Sequence, residues 1–322
     1  MSTIMFRPKL ALCIAALTAA CAAPDEGAPE GGAFDDGASP PVGERAQAAV
    51  ASNGVVLNGV VLNGVVLNGV VLNGVVLNGV VLNGSALTGS APDGSSYSGA
   101  GFIGAEFKAL LAGGGTTPLF IDDARTADGV WFYRASFLDP ATNARQPLCG
   151  VDAAGAPVEA IGLMGRWDYR EGVPGGGSHI DDPGAFTFAC RGAALAKCVE
   201  LGYKPWASTG GVSLKNHHQA CTRMLRADYC GDGTSHTVDG TPINLYDNVG
   251  VQADTQDWPF EAEWVPSGAR FVSKSNKTRF KLTKDGKAPA CFKNKVVDGT
   301  GDLKNFASGT LLMSEFDKKI AH

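Results

Sequence analysis

His217 and Cys221 are a pair of residues whose types and spacing could support chemistry. Residues four apart share one face of a helix, so the two side chains could ligate a metal ion or form a thiolate nucleophile with its base. Two nearby carboxylates, Asp228 and Asp232, could act as a general acid or base. The candidate catalytic residues of a hydrolase are therefore His217, Asp228 and Asp232.

A structural interpretation of the same residues is simpler. Cys221 would belong to a disulfide, which removes the thiolate, and His217 would be a hydrogen-bonded residue at the core boundary. Asp232 lies between two glycines, where aspartate commonly forms a turn, and Asp228 would end a helix. Neither an ordered calcium loop nor a phosphate-binding glycine motif is present in the sequence. We therefore predict no metal and no cofactor, and we favour a protein that is not an enzyme.

Six of the eight cysteines follow residue 140, and they are Cys149, Cys190, Cys198, Cys221, Cys230 and Cys291. An even number of cysteines in an exported chain predicts disulfides, here up to three, and the sequence leaves their connectivity open. The Cys-x-x-Cys spacing of zinc ribbons and thioredoxins is absent from the sequence.

Two helices are predicted between two sets of strands. Apolar residues recur at helical spacing over residues 192–201 and 213–228. Strands are predicted before the helices at 118–122, 130–138, 158–170 and 185–189, and after them at 242–247, 260–265, 269–272 and 278–282. This order is typical of an α+β domain, which we assign to residues 108–322.

A family resemblance appears at the end of the second predicted helix. Residues 227–230 read Ala-Asp-Tyr-Cys, and Gly-Asp-Gly follows. Further matching elements are Cys190, Cys198 after a lysine, Gly-Tyr-Lys-Pro-Trp at 202–206, Ala-Cys-Thr at 220–222 and Gly-Thr-Pro-Ile at 240–243. Over residues 186–291 the chain resembles the ADYC-domain family of exported bacterial proteins. The resemblance implies an exported architecture and brings no assigned activity.

The first 20 residues are predicted to be a lipoprotein-type signal peptide. Arg7 and Lys9 precede an apolar run at 10–20 that is too short to span a bilayer. Residues 17–21 read Leu-Thr-Ala-Ala-Cys and resemble the lipobox of bacterial lipoproteins, which implies cleavage before Cys21 and its diacylation. Ordinary signal cleavage, for example after Ala23, is the alternative.

Residues 21–52 are predicted to be a disordered linker. They are acidic and rich in Pro, Gly and Ala, so they cannot bury enough apolar surface to offset the entropy of ordering.

Ala22 follows the proposed lipid site, where an aspartate would suggest retention in the inner membrane. We therefore expect a lipid-anchored protein of the cell envelope, held at the outer membrane.

A five-residue repeat follows the linker. Asn-Gly-Val-Val-Leu occurs six times in succession at 53–82, and its phase continues to residue 107. A period of five fits neither a helix nor a plain strand, but it resembles the pentapeptide-repeat family. That resemblance implies a short β-solenoid over 53–107 with the leucines inside and the second valine of each copy outside. A stack of hairpins joined by Asn-Gly turns, or disorder, is the alternative.

Composition limits the partners. The formal net charge of −5 argues against a general nucleic-acid binder, and no apolar run reaches the roughly 18 residues of a membrane span. Six cations are concentrated near the C-terminus, namely Lys274, Lys277, Arg279, Lys281, Lys284 and Lys287. They could contact anionic lipid or acidic polysaccharide, or they could protect the edge of a strand.

Two functions from different classes remain. The favoured one is a binding or structural module of the cell envelope, attached to the membrane by a lipid and contacting an envelope protein or a polysaccharide. The alternative is an exported hydrolase that uses acid–base groups near the Ala-Asp-Tyr-Cys segment. An enzyme would expose His217 or an aspartate in a pocket, whereas a binding module would use these groups in caps, turns and backbone hydrogen bonds.

Overall fold

The computed structural model describes residues 50–52, 57, 62–111, 114–253, 258–273, 278–282, 286–294, 306, 309–317 and 319. The predicted signal peptide, Cys21 and all but the last three residues of the predicted linker lie outside the described residues. Among the described residues, no helix has both the length and the apolar character that a membrane crossing requires.

The described part of the chain is mostly β-strand with two short α-helices. The strands before the helices are β1 (Val50–Ser52), β2 (Leu62–Leu72), β3 (Val75–Val76), β4 (Asn78–Asn83), β5 (Ala86–Ser90), β6 (Ser96–Ser98), β7 (Glu106–Leu111), β8 (Thr116–Ala127), β9 (Val130–Leu138), β10 (Arg145–Pro147), β11 (Ala160–Met164), β12 (Arg166–Trp167), β13 (His179–Ile180) and β14 (Ala185–Cys190). Then come α1 (Ala194–Glu200), β15 (Ser208–Thr209), β16 (Val212–Ser213), α2 (Lys215–Arg226), β17 (Pro242–Asp247), β18 (Phe260–Val265), β19 (Gly268–Val272) and β20 (Leu312–Glu315). Short 3-10 helices lie at Gly99–Phe102, Arg279–Leu282 and Phe292–Asn294.

Six strands close into an antiparallel barrel. Going round the barrel, their order is β9, β11, β14, β2, β7 and β8, and β8 pairs again with β9. One face of these strands supplies a shared apolar core that includes Phe107, Tyr133 and Phe186, each at most 1% exposed. Closure leaves β2 hydrogen-bonded on both sides, to β14 and to β7.

A second, five-stranded sheet carries helix α2. Its strand order is β1, β17, β20, β18 and β19, so a strand from the start of the described chain joins strands from its end. Met224 and Leu225 of α2 are fully buried in the same core cluster as Leu245 and Trp264 of this sheet. A third cluster lies between the barrel and α1, where Leu195 joins Ile161 and Leu163 of β11.

The predicted disulfides are confirmed, because all six cysteines pair. Cys149 joins Cys190, Cys198 joins Cys221, and Cys230 joins Cys291, with Cα–Cα separations of 5.5, 5.8 and 5.6 Å. These separations are normal for disulfides. The second bridge connects α1 to α2.

The predicted fold class was wrong. The chain is not a pentad β-solenoid followed by an α+β domain, because the repeat segment contributes β2 to the barrel and the strands far outnumber the helices. Strands on both sides of α1 and α2 had suggested a mixed domain. The structure instead packs the helices against a mostly β framework: α1 lies against the barrel, and α2 lies against the five-stranded sheet with residues 217–226 buried.

The solenoid prediction failed because Asn-Gly serves equally well in a hairpin turn. Asn73 and Gly74 both have positive φ, 51° and 78°, and they connect β2 to β3 as a two-residue turn. Most leucine positions of the repeat that the structure describes are nevertheless buried, including Leu67 and Leu72 at 5% and 4% exposure. Val76 and Val81, in the position expected to face outward, are 54% and 48% exposed.

Candidate functional site

The Ala-Asp-Tyr-Cys segment begins at the C-terminal end of α2. Ala227 has a positive φ of 51° and ends the helix, which leaves the next residue, Asp228, fully buried. The Asp228 carboxylate forms an ion pair with the buried guanidinium of Arg223. It also accepts hydrogen bonds from the amides of residues 231–233, at 2.8, 3.1 and 3.0 Å. Asp228 therefore shapes the loop that follows it.

Tyr229 is a core residue. Its ring stacks on Trp264 at 5.4 Å, and its hydroxyl donates to Glu261 at 2.7 Å. Burial, followed by the charge of Glu261, raises the pKa of Tyr229 well above its usual value. Glu261 is also ion-paired with Arg279 at 2.8 Å, and both side chains are fully buried. Arg279, one of the six cations expected to contact an anionic partner or to protect a strand edge, is thus buried. The side chains of Lys274, Lys277, Lys281 and Lys284 lie outside the described residues.

His217 and Cys221 do not form a metal or nucleophile pair. Cys221 is bonded to Cys198, and His217 Nε2 lies 2.9 Å from the Asn248 side-chain oxygen. The His217 ring is buried and stacks on Tyr203. Among the described residues, no group of three or more His, Cys, Asp or Glu side chains could hold a metal ion.

The three candidate hydrolase residues are not brought together. His217 lies in the first turn of α2 and Asp228 follows its last residue, roughly 16 Å away at 1.5 Å per residue. Asp232 accepts a hydrogen bond from the amide of Thr234 at 2.9 Å, as in a turn. None of the three lines the larger of the two described cavities.

The larger cavity has a volume of about 580 Å³ and is formed by segments distant in sequence. Its aromatic lining comes from Trp167 at the end of β12 and from Trp206 in the loop after α1. Its polar lining includes His179 of β13, Lys215 and Gln219 of α2, and Asp181. The turn at Gly84, in the continuation of the repeat, completes one wall.

The charged groups of this cavity lie at its exposed side. Lys215 Nζ is 2.6 Å from Asp181 Oδ1, and the two side chains are 49% and 80% exposed. This hydrogen bond, then the charges of Lys215 and His179, lower the pKa of Asp181. His179 Nδ1 lies 3.6 Å from the same carboxylate, and Nε2 lies 2.9 Å from the carbonyl oxygen of Met164. Lys215 and Asp181 thus place a hydrogen-bond donor and a hydrogen-bond acceptor next to each other.

Gln219 fixes the inner wall of the cavity. Its side-chain oxygen accepts from Trp167 Nε1 at 3.3 Å and from the His179 amide at 3.2 Å. Its amide nitrogen donates to the carbonyl of Gly177 at 3.0 Å. The rings of Trp167 and His179 meet edge to face at 4.6 Å. One buried side chain thereby holds an aromatic ring and an imidazole in a defined orientation.

Arg223 connects the Ala-Asp-Tyr-Cys segment to the wall of the cavity. Besides its ion pair with Asp228, its guanidinium donates to Gly176 O at 2.5 Å, Ser178 Oγ at 2.8 Å and Pro266 O at 3.1 Å. Ser178 and Pro266 both line the cavity. A Cβ at Gly176 would overlap the carbonyl oxygens of residues 170 and 232, so only glycine permits this approach.

A second cavity of about 550 Å³ lies beside β8 and β9, and two of its arginines are bound to carboxylates of the same lining. Arg125 and Arg191 both bind the Glu159 carboxylate, and both guanidinium groups lie over the Phe132 ring. Hydrogen bonding from Arg125, then its charge and Arg191, lowers the pKa of Glu159. Arg125 and Arg191 are therefore already paired with carboxylates of the same lining.

Sequence reasoning missed the residues of the larger cavity. Trp167, His179 and Lys215 belong to no recognisable motif, and they come from β12, β13 and α2. The one usable signal was Trp206, which ends the Gly-Tyr-Lys-Pro-Trp element at 202–206. The other members become neighbours only in the folded chain.

Fold and site together define a disulfide-bonded, mostly β protein with a cavity built around the end of a helix. The family model of the ADYC domain matches residues 99–278, which is more than half of the chain. The chain therefore belongs to the ADYC domain family. The match begins well before residue 186, where the motif resemblance had placed its start, and it includes the whole barrel except β2. No curated protein and no solved structure matches the chain.

Proposed function

We propose that this protein is an exported, non-enzymatic binding module and that the cavity beside α2 holds its ligand. The observation that carries the proposal is an open cavity that combines Trp206, Trp167 and the exposed Asp181–Lys215 pair. Known ligand sites are similarly concave, with apolar and aromatic walls and a few convergent polar groups. A volume of about 580 Å³ is within the range of about 300–1,000 Å³ for such sites.

The uses of the polar groups favour binding over hydrolysis. Asp228 and Asp232 organise a loop, and His217 is buried against Tyr203 and Asn248. These are the roles expected in a binding module. Asp181 is an aspartate exposed in the cavity, as a hydrolase would require, but its carboxylate is ion-paired with Lys215. The cavity is also joined to the Ala-Asp-Tyr-Cys segment through Arg223, which holds Ser178 in the cavity wall.

A fragment screen tests this proposal. We expect ligand-observed NMR on the chain without its first 21 residues to find small organic fragments that compete for one site. Trp206→Ala should abolish these hits, because the indole is a large part of the aromatic wall. Trp258→Ala is the control, since Trp258 does not line the cavity. Hits that survive Trp206→Ala, or no hits on the parent chain, would contradict the proposal.

We also propose that the module is anchored in the cell envelope, at the outer membrane, by a lipid on Cys21. The lipobox-like residues 17–21 support the anchor, and three disulfides favour an oxidising compartment. Growth with a radiolabelled fatty acid should label the protein, and Cys21→Ala should remove the label. Incorporation that persists in the variant, or its absence in the parent, would count against the anchor. Membrane fractionation tests the outer-membrane location.

A further inference from the structure

We propose that the ligand of this cavity is a neutral saccharide, which deepens the proposed function and rests on it. Its ring would lie against the indole of Trp206, and neighbouring hydroxyls would bind Asp181 and Lys215 together. Three observations carry this inference: the balance of charge in the cavity, the chemistry of the exposed pair, and the aromatic wall.

The balance of charge selects a neutral ligand. Asp181 and Lys215 are the only carboxylate and the only ammonium among the described lining residues, and they lie 2.6 Å apart. An anionic group that approached Lys215 would meet the Asp181 carboxylate at almost the same distance. A cationic group at Asp181 would meet the ammonium in the same way. Either charge therefore gains little net attraction at this point.

The exposed pair suits hydroxyl groups. A carboxylate only accepts hydrogen bonds and an ammonium only donates them, whereas a hydroxyl does both. Two adjacent hydroxyls can therefore satisfy Asp181 and Lys215 at once without breaking their electrostatic attraction. His179 adds another polar ring beside the same carboxylate, 3.6 Å away. A purely apolar ligand would instead cover this ion pair without replacing its water, which costs free energy.

The aromatic wall suits the opposite side of a sugar ring. The face of an aromatic ring carries partial negative charge, so it attracts the weakly positive C–H groups on the less polar face of a pyranose. Trp206 is half-buried at the cavity wall, while Trp167 is only 3% exposed and is held by Gln219. Trp206 would therefore be the stacking surface, and Trp167 is a buried, fixed part of the cavity lining.

Calorimetric titration with matched disaccharides tests the inference. The probes are the neutral disaccharides cellobiose, maltose and di-N-acetylchitobiose, with cellobiouronic acid and diglucosamine as charged relatives. We expect at least one neutral disaccharide to bind. The affinity of the charged relatives should be lower by about tenfold or by a larger factor. Asp181→Asn, Lys215→Met and Trp206→Ala should each weaken binding by about tenfold or more. Glu106→Gln, an exposed charge on β7 outside the cavity, should leave the affinity unchanged.

The outcomes separate the saccharide from the binding function itself. Preference for either charged disaccharide, or neutral binding that survives all three cavity variants, would overturn the inference. If fragments bind in a manner that depends on Trp206 but no saccharide binds, the saccharide inference is wrong and the proposed binding function stands. If neither fragments nor saccharides bind, both proposals fail.

Discussion

Replacing Asp228 with asparagine is expected to destabilise the folded chain by about 3–5 kcal/mol, the cost of leaving a buried charge unpaired. Arg223 is 2% exposed and Asp228 is fully buried, so water cannot replace the lost carboxylate. Asparagine would also bring an NH₂ donor into a site where the carboxylate accepts from the amides of Gly231 and Gly233. The free energy of unfolding from a urea titration measures the loss.

Asp232→Asn is the matched control for this prediction, because it makes the same chemical change four residues away in the same loop. Asp232 is partly exposed, and its oxygen accepts from the Thr234 amide, a role that asparagine can keep. We expect a change within about 0.5 kcal/mol. Equal losses in the two variants would show that the Arg223–Asp228 pair has no special role in stability.

Acidification is expected to remove about 2 kcal/mol of stability between pH 6.5 and pH 4.5 through one residue, His218. This side chain is 1% exposed, its Nε2 lies 3.0 Å from the carbonyl oxygen of Leu195, and burial lowers its pKa from 6.5 to about 4. In this pH range His218 therefore binds a proton in the unfolded chain but remains largely unprotonated in the folded chain. Stability from this group is complete above about pH 6.5 and is lost as the pH falls towards 4.

Two measurements check the His218 prediction. Urea titrations at both pH values should give a smaller difference for His218→Gln than for the parent chain, even if the variant is less stable throughout. NMR of the imidazole carbons should show that the His218 ring of the folded protein remains neutral until the pH approaches 4. A ring that titrates near 6.5 in the folded protein would refute the prediction.

Local patterns in the sequence predicted individual elements better than their arrangement. Strands 130–138, 242–247 and 260–265 match β9, β17 and β18, and both predicted helices match α1 and α2 within two residues at each end. Each has a hydrophobic period that local geometry dictates. Residues 278–282 were predicted as a strand but contain a 3-10 helix, because Arg279 turns inward to pair with Glu261. That pairing depends on a partner 18 residues away.

Of the candidate site, the sequence predicted only the residues that hold the surrounding loop and helices in place. The sequence singled out Asp228 and the cysteines, and these hold the loop and the helices around the cavity. The side chains that face the cavity, such as Trp167 and Lys215, have ordinary local surroundings in the sequence. They converge because the barrel, α2 and the glycine-rich loop at residues 172–177 pack together, which no short pattern encodes.

The closed barrel has a consequence for the repeated segment. Identical copies of Asn-Gly-Val-Val-Leu could pair with one another, or with the same segment of another molecule, in several alignments offset by five residues. Within β2 that freedom is gone, since β7 and β14 are not repetitive and each occupies one side of the strand. The closed barrel thus protects part of a repetitive, aggregation-prone sequence from pairing with strands of other molecules for as long as the barrel remains closed.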